Sequence, residues 1–162
     1  MLIDNVGILS KDHAAEAELK NKKCLDRLKL NMRGCFRSAD FYIQNNDTEV
    51  LEVLQPPISL KSLLLQNYAG VSLPSWLLPQ NLPSLKSLAF DGCVGLKSIN
   101  LKEIGTFLSL TTISIDNCEN LSSLEDFLQP SYVPAIKEIR IQDCKMLASV
   151  PTEIFWGFHF LE

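Results

Sequence analysis

The side chains with which this 162-residue chain could do chemistry are few and scattered. It holds two histidines, His13 and His159, and five cysteines, Cys24, Cys35, Cys93, Cys118 and Cys144. A catalytic nucleophile needs a base beside it. Neither histidine has a serine, cysteine or carboxylate nearby in a recognisable arrangement, so His13 reads as a solvated helix residue and His159 as part of an aromatic tail. Structural zinc needs C-x-x-C or closely spaced histidines, and the chain has no such cluster. The glycines form no G-x-x-x-x-G-K-S/T or G-x-G-x-x-G cradle for phosphate. Glu125-Asp126 and Asp47-Thr48-Glu49 bring carboxylates close together, but exposed turn or cap positions account for them. These absences predict a non-enzyme with no metal and no cofactor.

Three of the cysteines belong instead to a recurring phrase. Leu60-Lys-Ser-Leu63-Leu-Leu65-Gln-Asn-Tyr68 returns as Leu85-Lys-Ser-Leu88-Ala-Phe90-Asp-Gly-Cys93, as Leu110-Thr-Thr-Ile113-Ser-Ile115-Asp-Asn-Cys118 and as Ile136-Lys-Glu-Ile139-Arg-Ile141-Gln-Asp-Cys144. The lead residues stand 25, 25 and 26 residues apart. A fixed step of this size carrying L-x-x-L-x-L-x-x-N/C is the leucine-rich-repeat signature. It predicts an α/β horseshoe solenoid, with a parallel sheet on the concave side and irregular or short helical returns on the convex side. Equivalent positions then lie in neighbouring coils, about 4.8 Å apart. Cys93, Cys118 and Cys144 should form a ladder of reduced thiols inside the turns, their weak S–H groups meeting backbone carbonyls. An odd cysteine count with three at one repeat position argues against a secreted disulfide framework.

The length suits a single domain whose core comes from stacked repeats. Composition (46% hydrophobic, 21% charged) is ordinary for a soluble protein. No apolar run approaches the roughly 18 residues of a membrane helix. Asp4 interrupts the start, so no secretory signal is visible and the cytosol or nucleus is expected. Net charge is −4, unevenly spread: residues 1–40 carry eight Lys/Arg against six Asp/Glu, and residues 41–162 carry seven against thirteen. An acidic body without a basic run interleaved with aromatics is a poor match for nucleic acid.

Taken in order, residues 1–10 look like the tail of a preceding repeat. Ser10 or Asp12 then caps a helix through Lys23, with Ala15 and Leu19 on one face. Leu25-Asp-Arg-Leu28-Lys-Leu30-Asn-Met32 is a first strand phrase, with Met or a neighbour in place of the cysteine. The step to Leu60 is about ten residues too long, and the excess at about 33–48 has no period and reads as a surface loop. Asp47 or Thr48 caps a short helix with Val50, Leu51 and Leu54 on its apolar face, ended by Pro56-Pro57. In the later returns Leu96, Ile99 and Ile104, then Leu121, Leu124 and Leu128, then Leu147, Val150 and Ile154 should point inward. Phe155, Trp156, Phe158 and Phe160 make an aromatic end, and Leu161 opens a partial repeat. Strand phrases at 25, 60, 85, 110, 136 and 161 fill residues 1–162 as one repeat domain, and the absence of polar caps favours a piece of a longer array.

Period-2 alternation turns the residues between the leucines outward, to the concave side. They are Arg27, Lys29 and Asn31; Ser62, Leu64 and Gln66; Ser87, Ala89 and Asp91; Thr112, Ser114 and Asp116; and Glu138, Arg140 and Gln142. Solenoids bind other proteins on such extended faces, so this is the expected protein-binding surface.

Several ordered motifs add a resemblance. Ala14-Ala-Glu-Ala17-Glu-Leu19 leading into Leu25-Asp-Arg-Leu28 resembles the opening of the repeat region in plant coiled-coil nucleotide-binding leucine-rich-repeat disease-resistance proteins. Glu49-Val-Leu-Glu-Val-Leu-Gln-Pro56 before Leu60-Lys-Ser-Leu63 is similar to that family's VLE-x-LQP…LK-x-L segment. Asn67-Tyr68-Ala-Gly70 with Leu73-Pro-Ser-Trp76 resembles its GY-x-G-x-x-FPSW turn, with Asn67 for Gly and Leu73 for Phe. The resemblance implies an intracellular module that senses pathogen effectors, or that restrains an adjacent nucleotide-binding domain. No P-loop is present, so no nucleotide contact carries over. A substrate-recognition repeat of an F-box-type ubiquitin-ligase adaptor is the alternative. A secreted receptor repeat would need a signal, 24-residue steps and cysteine-pair caps, none of which the sequence shows.

Overall fold

A computed structural model describes residues 1–3, 10–32, 41–99, 105–124 and 127–147, and of 41–46 only the backbone. Six strands form one parallel sheet in sequence order: β1 (Leu2–Ile3), β2 (Arg27–Asn31), β3 (Ser62–Gln66), β4 (Ser87–Asp91), β5 (Thr112–Asp116) and β6 (Glu138–Gln142). Among the described residues two helices lie between them, α1 (Lys11–Ala15) and α2 (Phe41–Val53), with a 3-10 turn at Leu19–Asn21.

From β2 onward every strand pairs with the next in the same register. Leu28, Leu63, Leu88, Ile113 and Ile139 form one column, and Leu30, Leu65, Phe90, Ile115 and Ile141 another. Both columns point inward, and from β2 to β5 their members are at most 2% exposed. Leu60, Leu85, Leu110 and Ile136 form a third buried column ahead of the strands. Burying a side chain of this size contributes roughly 1.5–3 kcal/mol, so three columns repeated coil after coil supply the core that one repeat alone lacks.

Strands β3 to β6 end the same way. Asn67, Asn117 and Asp143 have φ of 55°, 53° and 51°, and Gly92 has 64°. Asn, Asp and Gly are the residues that enter the left-handed region most readily. The bend aims a backbone N–H at the next coil: Asn67 N donates to Asp91 O (2.8 Å), Gly92 N to Asp116 O (2.9 Å) and Asn117 N to Gln142 O (3.0 Å). Gly95 is required for close approach, because a Cβ there would fall 1.9 Å from Ala69 O.

The helical expectations need correction. The first helix ends at Ala15, not Lys23, with Ser10 as its cap, and Glu18 breaks the run with φ 43°. The stretch expected as loop to about 48 is helical from Phe41. Asp47 and Thr48 therefore lie inside α2 and do not cap it. Asp47 is 2% exposed and accepts from Ala69 N (3.2 Å), while Thr48 Oγ1 meets the Tyr68 hydroxyl (3.2 Å). These polar groups dock the helix onto the turn after β3. Trp76 completes the joint, its Nε1 donating to Leu51 O (2.9 Å). Expectations for 33–40, Cys35, Ile104, Glu125-Asp126, and everything from 148 on, including His159, Val150, Ile154 and the repeat at 161, lie outside the described residues.

Candidate protein-binding face

All fifteen outward residues lie on strands β2 to β6, at the first, third and fifth strand positions. Register sorts them into three rows across the sheet. The first is Arg27, Ser62, Ser87, Thr112 and Glu138; the middle is Lys29, Leu64, Ala89, Ser114 and Arg140; the third is Asn31, Gln66, Asp91, Asp116 and Gln142.

The rows differ in how far their polar groups are already occupied. In the third row Gln66 Nε2 donates to Asp91 Oδ2 (2.7 Å), and Asn117 Nδ2 to Asp91 Oδ1 (3.1 Å). Asn67 Nδ2 donates to Asn31 Oδ1 (2.7 Å), and Ser114 Oγ to Asp116 Oδ2 (2.7 Å). Asp116 Oδ1 is enclosed with no hydrogen-bond partner among the described residues. Arg140 pairs with Glu138 (3.3 Å), both being more than half exposed. Such an exposed pair contributes little to stability.

The first row opens onto a depression of about 470 Å³ lined by Asp26, Arg27, Lys61, Ser62, Lys86 and Ser87. Lys61 reaches Asp26 at 3.1 Å. Lys61 and Lys86 were absent from the expected face, as were Asn67 and Asn117, although each recurs at a fixed place in the phrase. Reading the second and eighth columns, as well as the alternating ones, would have found them.

The thiol ladder is present. Cys93 and Cys118 are buried, Cys144 is half-buried and Cys24 exposed, all of them free. Cys93 Sγ donates to Leu65 O (3.4 Å) and Cys118 Sγ to Asp116 O (3.4 Å), while Cys144 Sγ lies 3.3 Å from Gln142 O. Burial pushes Cys93 well up, which keeps it protonated at neutral pH. A hydrogen bond from the Cys93 thiol holds the Cys118 thiol below its ordinary pKa. Tyr68 fills the cysteine place in its coil, donates to Ser72 O (2.6 Å) and is pushed up to about 12, chiefly by burial.

Met32 aligns with Asn67, one place short of the cysteine column. His13 lies exposed on α1, with Ser10 Oγ 2.8 Å from its Nδ1. The same hydroxyl accepts the His13 backbone N–H (3.3 Å), so this contact belongs to the cap, which brings residues three apart together. Among the described residues no cluster of His, Cys, Asp or Glu could hold a metal ion. Nor is any described helix long and apolar enough to cross a membrane.

Two curated proteins are similar to this chain. One, of Solanum bulbocastanum, is described as disease resistance protein RGA1; it is 28% identical over 98 residues, covering 60% of this chain and 10% of that protein. The other, of Arabidopsis thaliana, is described as disease resistance RPP13-like protein 1; it is 27% identical over 180 aligned positions, covering 86% of this chain and 17% of that protein. The chain thus spans a small part of either relative's length. No solved structure matches it. The family profile for the R13L1/DRL21 leucine-rich repeats matches residues 1–118, and the stacked phrases, the zero-offset sheet and the left-handed turns are what such repeats require. The chain belongs to the R13L1/DRL21 leucine-rich-repeat family.

Proposed function

We propose that this chain is a protein-binding repeat module of the plant immune-receptor type, one continuous repeat domain over residues 1–162. The observation that carries the reading is the family match over 1–118, joined by two relatives described as disease resistance proteins. Repeats of such proteins are protein-interaction modules. The partner is a pathogen effector or a nucleotide-binding domain of the same receptor, engaged on the concave face inside the cytoplasm or nucleus. The outward residues support this because they form a continuous surface across five strands, held rigidly by the columns beneath. Nothing in the comparisons supports the ubiquitin-ligase adaptor.

The test is co-purification from leaf tissue of the whole chain with the nucleotide-binding domain of a plant resistance protein, and with a panel of effectors. At least one partner should be retained by the wild type and lost from the Lys29→Glu/Arg140→Glu pair. Retention of no partner, or equal retention by the folded variant, would overturn the reading.

A further inference from the structure

Two columns just ahead of the strands are not used by the concave face as described above. One is the second place of the phrase: Asp26, Lys61, Lys86, Thr111 and Lys137. Their backbones stack coil on coil, since Lys61 N donates to Asp26 O, Lys86 N to Lys61 O, Thr111 N to Lys86 O and Lys137 N to Thr111 O, each at 2.8 Å. All three lysines are exposed, and Lys61 alone of them has an ion-pair partner among the described residues. The other column lies three residues upstream and holds Ile58, Pro83, Leu108 and Pro134. Ile58 is 66% exposed and Leu108 74%, and Ser109 Oγ ties the column together through Pro83 O (2.8 Å). A column bearing three lysines and a largely apolar one thus run three residues apart ahead of the strands, and Lys61 and Lys86 of the first line the depression.

We infer that this end of the strands is a docking site for an acidic protein segment that also carries large apolar residues, seated on Lys61 and Lys86 and flanked by Ile58 and Leu108. Charge complementarity chooses the partner. Around the depression Arg27, Lys61 and Lys86 stand with one acid, Asp26, on a chain whose net charge is −4. A phosphate backbone would take the lysines but gain nothing from exposed Ile58 and Leu108. Spacing suits a helix, which advances about 5.4 Å per turn against about 4.8 Å per coil. Carboxylates repeating every turn then meet successive lysines, with the neighbouring apolar positions over the second column. This site goes beyond the concave-face reading: its contact residues Lys61, Lys86, Ile58 and Leu108 lie outside the fifteen outward residues, of which Arg27, Ser62 and Ser87 border it.

The test titrates the full chain into a labelled helical peptide with glutamates along one face and leucines beside them, read by fluorescence anisotropy at physiological salt. The peptide should bind the wild type, and Lys61→Glu/Lys86→Glu should weaken it at least about ten-fold. Ile58→Ser/Leu108→Ser should also weaken it, and Lys20→Glu, an equal charge reversal at an exposed residue away from this site, should leave it unchanged. Matching thermal melts confirm the fold, and Lys86→Ala carries the same test if the double reversal does not fold. The inference is overturned if the peptide does not bind, if a Gln-for-Glu peptide binds equally, or if the lysine variants bind normally. It is also overturned if phosphatidylserine vesicles or duplex DNA compete for the same lysines more tightly than the peptide.

Discussion

β4 and β6 carry the same phrase in the same register, yet they are not equally buried. Leu88, Phe90 and Cys93 are at most 1% exposed, whereas Ile139, Ile141 and Cys144 are only partly covered. β4 has a strand on each side, and β6 is the last strand of the described sheet. Identical inward alternation therefore yields different burial, because part of each inward side chain is covered by the next coil. In this fold burial belongs to a place in the stack as much as to a residue.

The largest test of that contrast places a charge in the middle of the stack. Ile115→Asp or Leu88→Asp leaves an unpaired carboxylate where exposure is at most 1%, at a cost of several kcal/mol. Loss of the cooperative thermal transition is expected; retention by either variant would refute the two-sided burial. Alanine grades the contrast more finely. Ile113→Ala should destabilise by about 2–5 kcal/mol and Ile139→Ala by no more than about half of that, measured by urea unfolding. Equal losses would mean that β6 is as well covered as β5.

Reactivity offers a milder comparison. Site-resolved alkylation should label exposed Cys24 first, half-buried Cys144 next and Cys93 last, and labelling of Cys93 ahead of Cys144 would contradict the gradient. Burial also raises Asp47 above its ordinary 3.8, a shift opposed by the Ala69 N–H. The folded state then holds this proton more tightly than the unfolded one, so stability falls as pH rises from about 3.8 through the folded value. Asp47→Asn should flatten that part of the stability profile while keeping an acceptor for Ala69. A profile unchanged by the substitution would remove Asp47 as its source. The smallest effect is expected at Arg140→Glu, within about 0.5 kcal/mol of wild type. Asp116 falls outside that class, since its Oδ1 is enclosed.

The strands, their inward columns and the thiol ladder were legible because they repeat, and repetition in sequence becomes neighbourhood in space. The fifteen outward residues followed from the same alternation. What escaped was either non-repeating or long-range. The backbone of α2 continues to Phe41 through residues with no helical period. Asp47 and Thr48 look like caps locally, yet they serve a turn some twenty residues away. Short-range helix propensity through Lys23 was overridden at Glu18. The lysine and asparagine columns were visible in principle, but a reading tuned to leucines passes over them.

The zero offset between strands has a further consequence. The distance from Leu25 to Leu60 is 35 residues and from Leu110 to Ile136 it is 26, yet β2 meets β3 and β5 meets β6 with no slippage. All surplus length is absorbed on the way back, so the sheet keeps time while the returns vary in tempo. Excising residues 85–109 as a unit would set Ser62 beside Thr112 with every rung intact. Recombination at such boundaries can therefore rewrite the order of charges a partner meets without asking the scaffold to fold anew.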